Sequence, residues 1–170
     1  MVNNFDSGYV ALLEELRAFT IASTSQLIMP VRFQKSDTEQ PEPRAAEVHL
    51  MRLPDSKIAT KKAPYIIHQL VNSKDQQPSG KHPDSNAIIR SIFAVYNENE
   101  EEGALMLLNL VERLRIDLLK KIVIGKRFKL DLEAGLEFFA YPEDTAPYYS
   151  GEMVSHWKIP TVEREVREFL

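Results

Sequence analysis

The sequence predicts an α+β fold in which an antiparallel β-sheet carries two main helices packed on one face. Along the chain the patterns run as helix, strands, long helix and strands, without a repeated strand-helix-strand unit. That order disfavours a doubly wound parallel sheet and favours an antiparallel sheet with helices on one side. The length of 170 residues fits a single domain, 1–170, with an ordinary hydrophobic core.

The first predicted element is an amphipathic helix over residues 6–20. Its apolar residues fall mostly on one helical stripe, and Asp6 or Ser7 is available as the N-cap. The apolar stretch that follows contains Pro30, which favours an edge strand or an extended connector. Residues 36–44 contain two prolines and no periodicity, so they are predicted to form an exposed loop.

Three strands are predicted in the middle of the chain. Residues 46–54 alternate apolar and polar side chains, and residues 64–72 begin at a proline and are rich in Ile, Leu and Val. Residues 86–97 are β-branched and aromatic enough for a central strand. Between the last two strands, residues 73–85 are predicted to be a polar, turn-rich loop.

A long helix is predicted over residues 98–125. Acidic residues crowd its start and lysines its end, as the helix dipole prefers, and Gly125 is predicted to stop it. Its core stripe has spacing i, i+3, i+4, i+7 and i+11, formed by Leu107, Leu110, Val111, Leu114 and Leu118.

Two further strands and a tail complete the prediction. Residues 128–132 alternate, and Gly135 is predicted to mark a bulge before the strand continues through Leu136 and Phe138. In the last strand, residues 152–160, Met153, Ser155, Trp157 and Ile159 share one face. Residues 161–170 are a candidate docking arm, because four apolar side chains recur at helical spacing: Val162, Val166, Phe169 and Leu170. A frayed end is the alternative.

Composition excludes several kinds of site and partner. The chain has no cysteine, which excludes disulfides, thiolate zinc sites and cysteine nucleophiles. A net charge of -4 disfavours generic nucleic-acid binding. No run approaches the ~20 apolar residues of a membrane span, and the N-terminus lacks signal-peptide features, so we expect a protein made in the cytoplasm without a membrane partner.

A search for catalytic motifs finds none. The histidines His49, His68, His82 and His156 lack the spacing of a metal pair, and there is no glycine-rich phosphate loop, serine elbow or HExxH helix. We therefore expect a non-catalytic protein without cofactor or metal. The candidate surface is aromatic, because Tyr and Trp favour protein interfaces and core edges alike: Tyr141, Tyr148, Tyr149 and Trp157.

Residues 64–160 of the chain resemble a known family. GALMLLNLVERLRIDLL, then RFKLDL, then FFAYPEDTAPYYSGEMVSHWKIP, together with the earlier PYIIHQLVN and NAIIRSIFAVY, are similar to the tail terminator (tail-completion) proteins of long-tailed bacteriophages and prophages. The resemblance covers residues 64–160 and rests on element order and on aromatic and proline placement.

The resemblance implies a small virion structural protein without catalytic residues. Proteins of this group form a ring, commonly a hexamer, on the last ring of the tail tube. The ring ends tube polymerisation and presents a surface to the head-side neck proteins. The implied partners are other copies of the chain, the tail tube protein, a sheath protein and a neck or connector protein.

Three segments are the candidate interfaces of such a ring, whose heterologous contacts need exposed loops and edges. They are the loop 73–85, the proline loop 141–149 and the tail 161–170. The candidate residues are Asp75, His82, Asp84, Tyr141, Tyr148, Tyr149, Trp157, Val166 and Phe169. The alternatives are another head-tail connector such as a head-completion protein, a non-catalytic prophage-encoded binding module, and a hydrolase with an undetected site.

Overall fold

The computed structural model describes residues 8–32, 42–54, 62–142, 145–163 and 165. They contain two helices and seven strands: α1 (Tyr9–Thr24), β1 (Glu47–Leu50), β2 (Tyr65–Gln76), β3 (Asp84–Tyr96), α2 (Glu100–Lys121), β4 (Val123–Ile124), β5 (Phe128–Leu130), β6 (Glu137–Ala140) and β7 (Tyr148–Lys158). The predicted α+β class is confirmed. Among the described residues, neither helix is long and apolar enough to span a membrane.

One sheet holds all seven strands, in the order β1-β2-β3-β7-β5-β4, with β6 also paired to β7. The long strands β2, β3 and β7 are antiparallel along their whole length. The exception to the predicted antiparallel sheet is β1, which lies parallel to β2 with Glu47 opposite Tyr65. A parallel neighbour requires a crossover of a dozen or more residues, and the chain has residues 51–64 for it.

The helices pack as their periodicity predicts. In α2 the five residues of the predicted stripe are all buried, and the Asn99 side chain accepts a hydrogen bond from the Glu102 amide at 3.0 Å as N-cap. In α1 the N-cap position is Gly8, which makes no side-chain cap bond. The predicted caps Asp6 and Ser7 lie outside the described residues.

The end of α2 differs from the prediction. The helix stops at Lys121, where Ile122 adopts φ 63° after its amide donates to the Leu118 carbonyl at 2.8 Å. Gly125 lies instead in the turn between β4 and β5 with φ 56°, and a Cβ there would come within 2.8 Å of the Glu15 side chain. Glycine therefore allows close packing of this turn against α1 rather than ending α2.

Several strand boundaries also differ. β1 ends at Leu50 because Met51 takes a positive φ of 69° and turns the chain away. The continuous strand predicted through Gly135 is interrupted by a turn, in which Asp131 Oδ1 accepts from the amides of Glu133 and Ala134 at 3.1 and 3.3 Å. The stretch around Pro30 forms only one bridge, between Met29 and Arg44.

Hydrophobic cores lie on both sides of the sheet. The main core lies between the sheet and the two helices, on what we call the helix face, and includes Trp157, Phe93 and Phe128. The opposite side, the outer face, carries a smaller cluster made of Leu53, Ala63, Tyr65, Ile67, Ala94 and Tyr96. The helix face therefore holds most of the buried apolar surface of the described chain.

Candidate interaction surfaces

Residues 71–83, here called the hairpin arm, comprise the second half of β2 and the loop that leads to β3. All thirteen residues from Val71 to Pro83 are exposed. β2 is buried over its first four residues and exposed over its last six, so both of its faces meet water beyond Leu70. Of the predicted loop 73–85, residues 73–76 belong to β2 and residues 84–85 to β3, and residues 77–83 form the loop at the tip.

Two predicted interface residues, Asp75 and Asp84, lie on strands rather than in a loop. Asp75 accepts a hydrogen bond from Ser85 Oγ at 2.6 Å, and Asp84 accepts from Lys158 Nζ at 3.0 Å. A hydrogen bond from Asn86 and the Lys158 partner lower the pKa of Asp84, and the same pairing raises the pKa of Lys158. These carboxylates brace the base of the hairpin arm against β3 and β7.

His82 is exposed at the tip of the hairpin arm. The other histidines lie elsewhere: His49 contacts Glu47 on β1 at 3.1 Å, and His156 lies on β7. Among the described residues, no group of three or more His, Asp or Glu side chains could hold a metal ion.

His68 is fully buried at the junction of α1, β2 and β3. Thr20 Oγ1 donates to the Leu16 carbonyl at 2.7 Å, so it accepts from His68 Nε2 at 2.8 Å. Nδ1 is then the acceptor for the Ser91 hydroxyl at 2.7 Å. Burial, and to a lesser degree Arg17, lower the pKa of His68 to about 3, so the ring is neutral and structural.

The four predicted aromatic residues do not form one cluster. Tyr148 packs against Tyr96 with ring centroids 5.5 Å apart, whereas Tyr149 contacts α2 at Gly103 and Tyr141 is exposed beside Glu152. Successive residues of a strand point to opposite faces, which separates Tyr148 from Tyr149.

The prediction that Trp157 contributes to the surface is wrong for the folded subunit. Its side chain is fully buried on the helix face, and Nε1 donates to Ser155 Oγ at 2.8 Å. The period-2 pattern of β7 requires this, because Trp157 shares a face with the buried Met153. Two further predicted interface residues, Val166 and Phe169 of the tail, lie outside the described residues.

Sequence reasoning missed the partners of Tyr148. Arg32 lies with its guanidinium 5.8 Å from the centroid of the Tyr148 ring, and its Nη1 donates to the Tyr148 hydroxyl at 2.7 Å. Tyr96 donates to Glu98, which raises the pKa of Tyr96 to about 12. No sequence pattern joins Arg32 to a tyrosine 116 residues later.

A groove beside α2, here called the apolar groove, was also missed. It lies between residues 26–29, after α1, and the first half of α2, and has a volume of about 560 Å³. Ile28 and Leu105 line it with 61% and 53% of their surfaces exposed, and the Glu102 side chain lies at its rim. Leu105 falls off the buried stripe of α2, which is the sequence signal that could have indicated this surface.

Comparisons with known proteins give distant likenesses. No protein-family model and no curated protein matches the chain. A chain from the virion of a native gene transfer agent particle is 13% identical, with 65% of this chain and 77% of that one covered and a TM-score of 0.40. A second solved structure, whose name states no function, is 10% identical over 96% of this chain and 100% of its own, with a TM-score of 0.46. Likenesses at these TM-scores carry no argument about function.

Proposed function

We propose that this protein is a structural component of a phage-like virion. It forms a hexameric ring that caps the tail tube, ends tail polymerisation and joins the tail to the neck of the head. Its partners are its own copies, the tail tube protein, a head-side connector and, if the tail is contractile, the sheath protein. It acts through surfaces and performs no reaction.

The hairpin arm is the observation that supports this proposal best. Beyond Leu70 the last six residues of β2 are exposed and pair with β3 on one side, whereas β1 pairs only with residues 65–68 on the other, so among the described strands this half of β2 is an open sheet edge. The exposed half of β2 therefore gains most if a neighbouring chain covers it. An arm that lies on a different patch of the next subunit makes a heterologous contact, and repeated heterologous contacts that close form a ring.

The positions of the exposed surfaces also fit a ring. The hairpin arm joins the sheet where Asp84 meets Lys158, at the end of β7. The apolar groove lies near the start of β7, where Tyr149 contacts Gly103 of α2. Two unlike surfaces at opposite ends of one strand favour head-to-tail association over a two-fold dimer.

The sequence resemblance supplies the specific role. Residues 64–160 resemble tail terminator proteins, and this range contains β2, β3, α2 and β4 to β7, which form most of the sheet. A ring that ends a tube needs one surface for the tube and another for the neck.

The direct test combines imaging with a polymerisation assay. Light scattering and negative-stain images of the full chain, alone and with the tail tube protein, should show rings of about six subunits and tubes with a cap at one end. Tube length should fall as the protein is added. A chain that stays monomeric with tube protein present, and leaves tube length unchanged, contradicts the proposal.

A shortened arm is the matched variant. Replacing residues 76–84 with Asn-Gly joins Asp75 to Ser85, which already lie opposite each other, through a two-residue turn. Because the removed residues are exposed apart from the half-buried Asp84, the subunit should keep its fold by circular dichroism. Rings should be lost, whereas rings that persist would show that the arm does not carry the contact.

A further inference from the structure

We infer that the open edge of β2 in one subunit pairs with the edge strand β6 of a neighbouring copy, so that one sheet continues across the subunit boundary. The inference rests on the proposed ring and names the backbone contact that joins its subunits. The paired segments are residues 73–76 of one copy and Glu137–Ala140 of the next.

Both segments are strand edges with unused backbone groups. β6 pairs with β7, and among the described strands nothing pairs with its other side. Residues 73–76 pair with β3 on one side and are open on the other, because β1 reaches only residues 65–68. Addition of a strand from another chain to such an edge is a common mode of protein recognition.

The hydrogen bonds of β6 show which of its residues face the open edge. In an antiparallel pair, alternate residues direct both backbone groups to the same neighbour. The Tyr141 amide donates to the Ser150 carbonyl at 3.1 Å, which fixes this alternation along β6. Phe138 and Ala140 are therefore the residues whose amide and carbonyl groups face away from β7.

The same alternation applies to β2. The Ile159 amide donates to the Ser85 carbonyl at 3.0 Å, so Ser85 and every second residue after it on β3 face β7. Asp75 lies opposite Ser85 and Ser73 lies opposite Ala87, which is one of these residues. The backbone groups of Ser73 and Asp75 therefore face the open side of β2.

One register satisfies the free groups of both edges. It places Ser73 opposite Ala140, and the two residues exchange both backbone hydrogen bonds. Asp75 and Phe138 form the next pair of this kind. The register uses every residue of β6 and avoids the bulge at Val71.

The side chains of this register are compatible. Lys74 lies opposite Phe139, whose surface is 49% exposed in the subunit, so the lysine stem covers the ring. Both side chains are on the outer face, because their partners within the subunit, Asn86 and Glu152, lie on it. Glu137 is the diagonal neighbour of Lys74 and provides the opposite charge.

Strand directions favour a neighbour in the same orientation. β7 runs parallel to β2, because each is antiparallel to β3, and β6 is antiparallel to β7. β6 of a copy in the same orientation is therefore antiparallel to β2, and the helices of both copies lie on one side of the joined sheet. Because β6 and the open half of β2 lie on opposite edges, the contact is heterologous and repeats head to tail.

Two other edges of a second copy fit less well. Pairing of two β2 edges with Ser73 opposite Asp75 places Lys74 opposite Lys74, and like charges directly opposite each other are destabilising. β4, at the far end of the sheet, offers only the two residues Val123–Ile124. Charge and strand length therefore favour β6.

Disulfide trapping tests the contact on the full chain, which has no native cysteine to interfere. Lys74→Cys and Phe139→Cys are introduced together, because the Cα atoms of this pair should lie about 4.5 Å apart, within disulfide range. Within one subunit β3 and β7 separate the two positions by at least roughly 14 Å, which is too far for a bond. Oxidation should therefore give a ladder of dimers and higher multimers.

The matched control combines Lys74→Cys with Leu132→Cys. Leu132 is exposed to a similar degree as Phe139 (47% against 49%) but lies between β5 and β6. This control and each single-cysteine variant should give little product. If Lys74→Cys alone dimerises as fully as the double variant, two β2 edges pair with each other and the inference is overturned.

A proline substitution gives a second measurement. Ala140→Pro removes an amide that faces the open edge, whereas Ala140→Ser keeps it. The proline variant should associate more than about ten-fold more weakly in sedimentation, because a hydrogen bond is lost and the ring blocks the incoming strand. Since Ala140 is exposed and its amide faces away from β7, both variants should keep similar urea midpoints. Normal association of a folded proline variant would contradict the edge pairing.

The outcomes separate this inference from the proposed function. Rings that form without a 74–139 cross-link above the control would overturn the edge pairing and keep the ring. Cross-linked multimers in chains that form open filaments and no tube cap would support the pairing and reject the proposed function. A chain that stays monomeric at millimolar concentration, with neither product, contradicts both.

Discussion

The two faces of the sheet use the same strands and differ in what covers them. On the helix face, two helices exclude water so completely that Trp157, Phe93 and even the polar His68 are fully buried. On the outer face, a small cluster closes the end near Tyr65 and Tyr96. Alternating residues of one strand thus belong to two environments.

Beyond that cluster, the outer face mixes charged side chains with half-buried apolar ones such as Ile88 and Val154. Arg90 donates to Gln69 Oε1 from Nε at 3.1 Å and from Nη2 at 2.7 Å, and lies 3.7 Å from Glu152. Such partly exposed pairs contribute little to folding because water competes for both groups. The difference between the faces indicates that stability resides under the helices, while the outer face and the hairpin arm are free to serve contacts.

The largest expected effect is on the helix face. Trp157→Ala should lower the free energy of unfolding by about 3–5 kcal/mol, because it leaves a cavity under two helices. Val154→Ala, on the outer face of the same strand and half-buried, should cost less than about 1.5 kcal/mol. Urea denaturation of both variants measures the contrast, and equal costs would contradict the distinction between the faces.

The second largest effect is expected at low pH, where the free energy of unfolding should fall because of His68 on the helix face. The pKa of His68 is about 3 in the folded chain and 6.5 as a free side chain, so the unfolded state binds the proton first as pH falls. The stabilising contribution of neutral His68 is therefore complete above pH ~6.5 and is lost as the pH falls towards ~3. Over that range the folding equilibrium constant should fall by up to about ten-fold per pH unit.

His68→Gln is the variant that checks this assignment. It should be less stable at neutral pH, because the bonds to Thr20 and Ser91 are disturbed, and its stability should depend less on pH between 6.5 and 4. His82→Gln at the exposed tip of the hairpin arm should keep the pH dependence of the original chain. Denaturant midpoints of both variants and of the original chain, measured between pH 6.5 and 4, show whether His68 causes the pH dependence.

Close packing of α2 on β7 predicts a smaller loss. A Cβ on Gly103 would overlap the ring of Tyr149, so Gly103→Ala should cost about 1–3 kcal/mol despite the better helix propensity of alanine. Adding Tyr149→Leu should recover part of the loss, because the ring is gone. Additive costs in the double variant would show that the two residues do not compete for space.

The smallest effect is expected at the base of the hairpin arm. Asp84→Asn removes the ion pair with Lys158. Because both side chains are about two fifths exposed, the free energy of unfolding should fall by less than about 1 kcal/mol. The cost should shrink further in high salt, which screens exposed charges. A larger, salt-independent loss of unfolding free energy would mean that Asp84 has a buried structural role.

The elements that follow a regular period were predictable from sequence. The α2 stripe and the alternation of β7 both lie where the period places them, since burial on one side determines which residues must be apolar. The same alternation could have placed Trp157 inside, because it shares a face with Met153. The site prediction was wrong because it followed the preference of tryptophan for interfaces instead of this alternation.

Features set by single backbone angles or by distant residues were not predictable. The parallel pairing of β1 ends because Met51 adopts a positive φ, a conformation that methionine rarely takes. The apolar groove joins residues 26–29 to α2, nearly eighty positions later in the chain. Neither local propensity nor periodicity reports such tertiary contacts.

The bulge in β2 changes the direction of the hairpin arm without changing which residues of β3 its residues pair with. Leu70 lies opposite Ile89 and Asn72 opposite Ile88, so the intervening Val71 is an extra residue on one strand only. A bulge bends and twists the strand that contains it. Deleting Val71 would leave each cross-strand partner unchanged and still straighten the arm. The single residue Val71 thus determines the angle at which the arm leaves the subunit. That angle would in turn determine the curvature of any assembly that forms through the arm.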